Sequence, residues 1–290
     1  AYFAGVVLLG CLLAPPFFWA GQALSEHGVL PSLQGVAFKK YFHRAMLVAA
    51  LGLLWPLARS LRLHSLESLG LIPNPRWGRH LLAGFAVAAI AVGIMAAVYI
   101  ALGIYQWKTV LPWGRIPKLA LSAAVVGLLE ESLFRGVFLG VFQRSMSART
   151  ALLSVTLLFS SLHFLKPDKE TLIGPVNWLS GFQLLPGAFH QFAEPGLWLA
   201  SFSTIFVLGW VAGMARQLTR SLWLSIGFHA GIVFVKMGFS KLTERHQQFL
   251  PWVGPELQIG LVPVSLLLFA LALVWMWTAN SEQNKASHSA

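Results

Sequence analysis

An all-α polytopic membrane helix bundle of about eight transmembrane helices is the fold class this sequence predicts, and three observations carry it. The 290 residues are 57% hydrophobic and only 11% charged, with a mean hydropathy of +0.68, whereas soluble domains carry about 25% charged residues. Long apolar runs recur along the chain, each of a length that suits a bilayer-crossing helix. The basic residues flank these runs instead of clustering, and no Lys/Arg run is longer than Lys39-Lys40. The excess of 21 Lys+Arg over 10 Asp+Glu therefore reads as span-flanking anchors at an anionic lipid surface, not as a nucleic-acid footprint. The lone Cys11 sits in an apolar run, so neither a disulfide framework nor a cysteine metal site is expected.

The first run, Phe3 to Ala20, contains Pro15-Pro16 and is expected to kink or end there. It lacks a small-x-small cleavage site and reads as a first span, not a signal peptide; the chain opens on Ala1, so a true start upstream is expected. A mixed loop, Gly21 to Lys40, leads to the second run, Tyr41 to Ala58. The segment Ser65 to Arg79 is an interfacial connector with turn residues Pro73, Asn74, Pro75 and Gly78. The third run, Leu81 to Leu102, is built mostly from Ala, Val, Ile and Gly. A fourth, Leu119 to Val141, carries charge in its middle, and a fifth covers Ala151 to Leu165.

The loop Lys166 to Pro195 is too long for a simple connector, and its Gly, Pro, Phe and Trp content suggests a re-entrant or interfacial cap. Trp178, Phe182, Phe189 and His190 within it could gate a substrate or anchor at the interface. Further spans are expected at Leu197 to Ala215, at a shorter run Leu222 to Met237, and at Leu257 to Thr278. We read residues 1–279 as a single transmembrane domain with a motif core at about 117–238, and 280–290 as a disordered polar tail. The short loops after the second, fourth and sixth spans carry Arg59, Arg62, Arg76, Arg79, Arg144, Arg149, Arg216 and Arg220 against the single acid Glu67. The positive-inside rule then puts both termini in the cytoplasm.

The fourth run is the unusual one. Glu130, Glu131 and Arg135 lie at its centre, where each ionisable group costs roughly 2.5–3.5 kcal/mol on insertion scales. His163 on the fifth span and His229 on the seventh are likewise inside apolar stretches. Glu131 and Arg135 could be a private i,i+4 ion pair that merely orders the bundle, and a lone histidine in a span is often a helix-to-helix hydrogen bonder. The pair leaves Glu130 and both histidines unexplained. Together, two histidines and a surplus carboxylate supply a general base and donors for a developing oxyanion.

At these residues the chain resembles a known family. Glu130-Glu131-Ser-Leu-Phe-Arg135 matches EExxxR, Phe159-Ser-Ser-Leu-His163 matches FxxxH, and His229 falls where a later HxxxN/D motif would lie. Order and spacing are similar to the CPBP, or Abi, family of intramembrane endopeptidases that process CAAX tails and bacteriocins, over roughly Gly70 to Gly238. The resemblance implies that Glu130 activates water with His163 as partner, that Glu131 and Arg135 hold the geometry, and that His229 stabilises the oxyanion. It also implies a metal-free mechanism and a peptide or membrane-protein tail as substrate; the short polar loops fit a bacterial inner-membrane setting. HExxH is absent, although two histidines and a carboxylate could in principle take zinc.

There is one departure. Val233 stands where the family has Asn or Asp, and Ser225, one turn before His229, could stand in as a donor or bond its own backbone. Phe159 is expected to pack under His163, and Gly127 and Gly136 to mark close helix packing. Two other readings stay open: a catalytically weak or inactive scaffold or immunity protein, supported by Val233, and a proton-coupled transporter, which would predict repeats not visible here.

Overall fold

The computed structural model describes residues 2–61, 74–110, 113–164, 174–247 and 249–287. In chain order the helices are α1 (Tyr2–Glu26), α2 (Phe38–Ser60) and α3 (Trp77–Ala101), followed by a short strand β1 (Tyr105–Trp107). Then come α4 (Ile116–Glu131), a π-helical segment (Ser132–Phe138), α5 (Leu139–Phe142) and α6 (Ala148–His163). The short α7 (Ser180–Gln183), α8 (Pro195–Thr219), α9 (Trp223–Leu242), the strand β2 (Thr243–Arg245) and α10 (Leu261–Ser287) complete the order.

The protein is a polytopic membrane helix bundle. Among the described residues, α1, α2, α3, α8 and α9 are each long and apolar enough to cross a membrane. The expectation of about eight spans thus divides into these five and three shorter or interrupted segments. The charged helix falls outside the five because the π segment divides it after Glu131, α6 is shorter, and the apolar part of α10 is Leu261–Ala272. The helix expected to kink or stop at Pro15-Pro16 does not stop: α1 runs through both prolines. Membrane helices tolerate proline because neighbouring groups satisfy the backbone carbonyls it frees. The seventh run is also longer than expected, continuing past Met237 to Leu242. Arg62, Glu67 and the rest of the connector up to residue 73, residues 166–173 of the long loop, and 288–290 of the tail lie outside the described residues.

Two compact units can be distinguished, and each is described by itself. The first comprises Ala1–His64 and Phe164–Ala193. Its core is Cys11, Ala14, Phe38, Phe42, Ala45 and Leu184, with α1 and α2 packed along each other. Trp178 of the long loop rests edge-on against Trp19, ring centroids 4.9 Å apart. Among its described residues, the cap expected there holds only short helical turns, α7 and a 3₁₀ segment at Pro186–Ala193.

The second unit, Ser65–His163 with Glu194–Ala290, carries all the ionisable span residues singled out above. Its organising element is α9, which buries every residue from Leu224 to Ile232. Helix α3 crosses it backbone to backbone: a Cβ on Gly227 would collide with the Leu81 carbonyl, and one on Gly84 with the Leu224 carbonyl. Helix α4 approaches its other flank at Gly127, where a Cβ would lie 3.1 Å from the Ile226 carbonyl oxygen. Small residues permit such approaches, and close packing is what drives helix association in lipid. Beyond α3 and α9, β1 pairs antiparallel with β2, with Tyr105 opposite Arg245 and Trp107 opposite Thr243. These contacts fix α9 against α3 and α4, and so fix where His229 points.

Candidate active site

Glu130 and Glu131 end α4, and Arg135 lies in the π segment that follows. The wider π turn is marked by Leu139 N–H, which donates to the Phe134 carbonyl. Single π turns concentrate at functional sites because they re-aim side chains without ending the helix. Here Arg135 Nη1 donates to Glu131 Oε1 at 2.9 Å, while Nη2 donates to the Gly209 carbonyl of α8 at 2.9 Å. The same Glu131 oxygen accepts from His229 Nδ1 at 2.7 Å. Glu131, Arg135 and His229 are 0%, 1% and 4% exposed. The i,i+4 ion pair therefore exists, but it is not private, because His229 shares it across helices.

Glu130 is no longer without partners. Its Oε2 lies 3.6 Å from His163 Nε2 and 3.7 Å from His229 Nε2. Both separations exceed a direct hydrogen bond and suit charge pairing or a bridging water. Glu130 Oε2 is itself a buried atom with no hydrogen-bond partner among the described residues. The side chains of Glu130 and His163 are 32% and 25% exposed. The cluster thus has a sealed layer that supports and an open layer that a reactant can reach.

His163 closes α6, and its Nδ1 donates to the Phe159 carbonyl at 2.9 Å. A carbonyl only accepts, so in a neutral ring the proton sits on Nδ1 and Nε2 is left as an acceptor facing Glu130. Phe159 packs against His163 at 4.3 Å between ring centroids, as expected, and does more. The Arg135 guanidinium sits 4.3 Å over its ring, and the rings of Phe134 and His229 meet it edge-on. Gly209 completes the enclosure, because a Cβ there would press on both Phe159 and Arg135 Nη2.

Gly209 and its carbonyl were not singled out from the sequence. The signal was present as the small-xxx-small spacing Gly209 to Gly213, a motif for close helix approach. Ser225 takes neither role expected of it. Its hydroxyl donates to the Ala212 carbonyl at 2.7 Å and ties α9 to α8. Val233 is partly buried on α9 one turn beyond His229 and brings no polar atom.

A carboxylate between two imidazoles, backed by a buried Glu–Arg–His lock within a membrane bundle, supplies the groups that acid–base hydrolysis needs. Residues 112–235 match the family model described as Rce1-like, type II CAAX prenyl endopeptidase. Through this segment the chain is similar to the Rce1-like CAAX endopeptidases of the CPBP, or Abi, family, whose members are intramembrane enzymes of the glutamyl type. The match takes in the motifs of α4, the π segment, α6 and most of α9. The chain shows no match to a curated protein or to a solved structure.

Proposed function

We propose that this chain hydrolyses a peptide bond near the C-terminus of a lipid-modified membrane-protein tail, using Glu130 and His163 to activate water without a metal. The observation that carries the reading is the seat of Glu130 Oε2 between His163 Nε2 and His229 Nε2. A water against Glu130 and His163 meets two acceptors and donates a hydrogen to each, leaving its oxygen lone pair for the scissile carbonyl carbon. As the C–O bond forms, Glu130 takes the proton, and the carbonyl π electrons move onto the oxygen. His229, hydrogen-bonded to Glu131 through Nδ1, presents Nε2–H to that oxyanion when doubly protonated. Collapse expels the amine, which receives the proton held by Glu130.

Glu131 and Arg135 act in this reading through His229, by fixing its ring plane and tautomer. The membrane assignment is the multi-pass one, and we place the turns bearing Arg144, Arg149 and Arg220 on the cytoplasmic side of a bacterial inner membrane. The motif core at about 117–238 carries the chemistry within one membrane domain.

The test is cleavage by purified protein of a prenylated peptide ending in a CAAX box. Wild type is expected to release the C-terminal fragment, with or without a chelator. Glu130→Gln should lower kcat by at least about 10³-fold, the general-base contribution plus the loss of a placed water. Zinc-restored activity after chelation would overturn the metal-free step, and equal cleavage by wild type and Glu130→Gln would overturn the role of Glu130. Val233 favours one alternative, a fold that has kept the site but lost turnover. That alternative predicts no cleavage by wild type and restoration by Val233→Asn.

A further inference from the structure

One ring, that of Phe159, touches three members of the site at once. The Arg135 guanidinium carbon stands 4.3 Å over it. The His163 ring packs on it at 4.3 Å between centroids, and the His229 ring meets it at 6.2 Å and 89°. The ring is held in place from two sides. Phe134 lies edge-on to it at 5.0 Å, and a Cβ on Gly209 would lie 3.1 Å from Phe159 and 3.2 Å from Arg135 Nη2. Helix α8 thus closes on the ring and the guanidinium together.

The lock has an electrostatic difficulty that this ring answers. Arg135 Nη1 and His229 Nδ1 both donate to Glu131 Oε1, at 2.9 and 2.7 Å, while Glu131 Oε2 has no hydrogen-bond partner among the described residues. When His229 is doubly protonated, as the oxyanion step requires, two cations share one carboxylate oxygen. They repel each other, and a layer sealed from water screens that repulsion little. Arg135 Nη2 is tied to the Gly209 carbonyl at 2.9 Å. Its other support is Phe159, because the face of an aromatic ring is the negative part of its quadrupole and attracts a cation.

We propose that the π face of Phe159 holds Arg135 in place against this repulsion, which makes Phe159 a positioning residue for hydrolysis and not only a packing partner of His163. The inference rests on the endopeptidase reading above. A leucine would fill much of the same space without a π face, so bulk and charge distribution can be tested apart. The effect falls on kcat, because His229 carries its charge to the oxyanion in the transition state and not in substrate binding.

The experiment uses the full-length protein in nanodiscs, with Phe159 replaced by phenylalanine bearing one, two or three ring fluorines. These keep the shape of the ring and withdraw charge from its face. With a prenylated CAAX peptide, kcat should fall stepwise with fluorine number while KM stays constant. The fall over the series should be about 10–30-fold, the size of a desolvated cation–π contact. Phe159→Leu should lose at least as much as the most fluorinated ring. The same fluorination at Phe239, ten residues beyond His229 on α9 and packed on Tyr105 at 4.8 Å, should leave kcat unchanged. A flat series at Phe159 would overturn the proposal, and a defective Phe159→Leu beside it would assign the ring to packing alone. A series that raises KM and spares kcat would also overturn it, by moving the ring to substrate binding. Wild type that cleaves nothing would instead overturn the endopeptidase reading, and the positioning role with it.

Discussion

At the residue scale, the site separates side chains that a reactant can touch from those that hold them. Glu130 and His163 are partly exposed; Glu131, Arg135 and His229 are sealed. Removing one member of a buried, shared charge lock leaves the others uncompensated, at a cost of about 3–5 kcal/mol. Glu131→Gln and Arg135→Gln should therefore lower thermal stability as well as kcat, whereas Glu130→Gln should abolish turnover with Tm nearly unchanged. A thermal melt beside an activity measurement separates the two groups, and a large drop in Tm for Glu130→Gln would contradict the division. The oxyanion side is under-supplied with donors, since Ser225 is committed to Ala212 and Val233 is apolar. A single oxyanion donor is worth about 10²–10³ in kcat, so Val233→Asn is expected to raise kcat. An unchanged rate would mean that His229 alone, or a backbone donor, serves the oxyanion.

At the element scale, the helices position the site through two local irregularities. One is the π segment Ser132–Phe138, which lets Arg135 reach back to Glu131 and sideways to Gly209 at once. Deleting Gly136 should return the segment to α geometry and turn Arg135 relative to the residues after it. Cleavage should fall at least about tenfold with helicity by circular dichroism retained, because misplacing a catalytic group by about 1 Å is enough for a loss of that order. The other is the glycine-mediated crossing of α3 and α9. Gly227→Ala puts a methyl group against the Leu81 carbonyl, and overpacking of this kind costs about 1–3 kcal/mol. The variant is expected to melt earlier and to cleave less, since α9 carries His229; a wild-type melting curve would show that the crossing can open without cost.

At the scale of the whole molecule, the orientation can be tested with cysteines, since Cys11 is buried and is the single cysteine in the sequence. In a Cys11→Ser background, Ser145→Cys between α5 and α6 should label from the cytoplasmic side. Glu244→Cys in β2 should label from the opposite side. Labelling of both from one face would overturn the topology.

Much of this was legible in the chain. The apolar runs located the helices because a bilayer demands long hydrophobic segments with internally satisfied backbones, and that demand is written in composition alone. Glu130, Glu131, Arg135, His163 and His229 stood out because ionisable groups in such runs are expensive and so draw attention to themselves. What the sequence could not decide was which atoms meet. That Glu131 serves Arg135 and His229 with one oxygen depends on how α4, α8 and α9 cross, as does the pairing of Glu130 with two histidines and the use of Ser225 as a tie to α8. The persistence of α1 through two prolines and the π turn after Glu131 likewise depend on neighbours that stabilise local departures from ideal helix geometry. Periodicity and cost act along one helix, so sequence determined which ionisable residues the apolar runs carry; contact between helices is a property of their packing, so only the tertiary structure decided their partners, the Gly209 carbonyl among them.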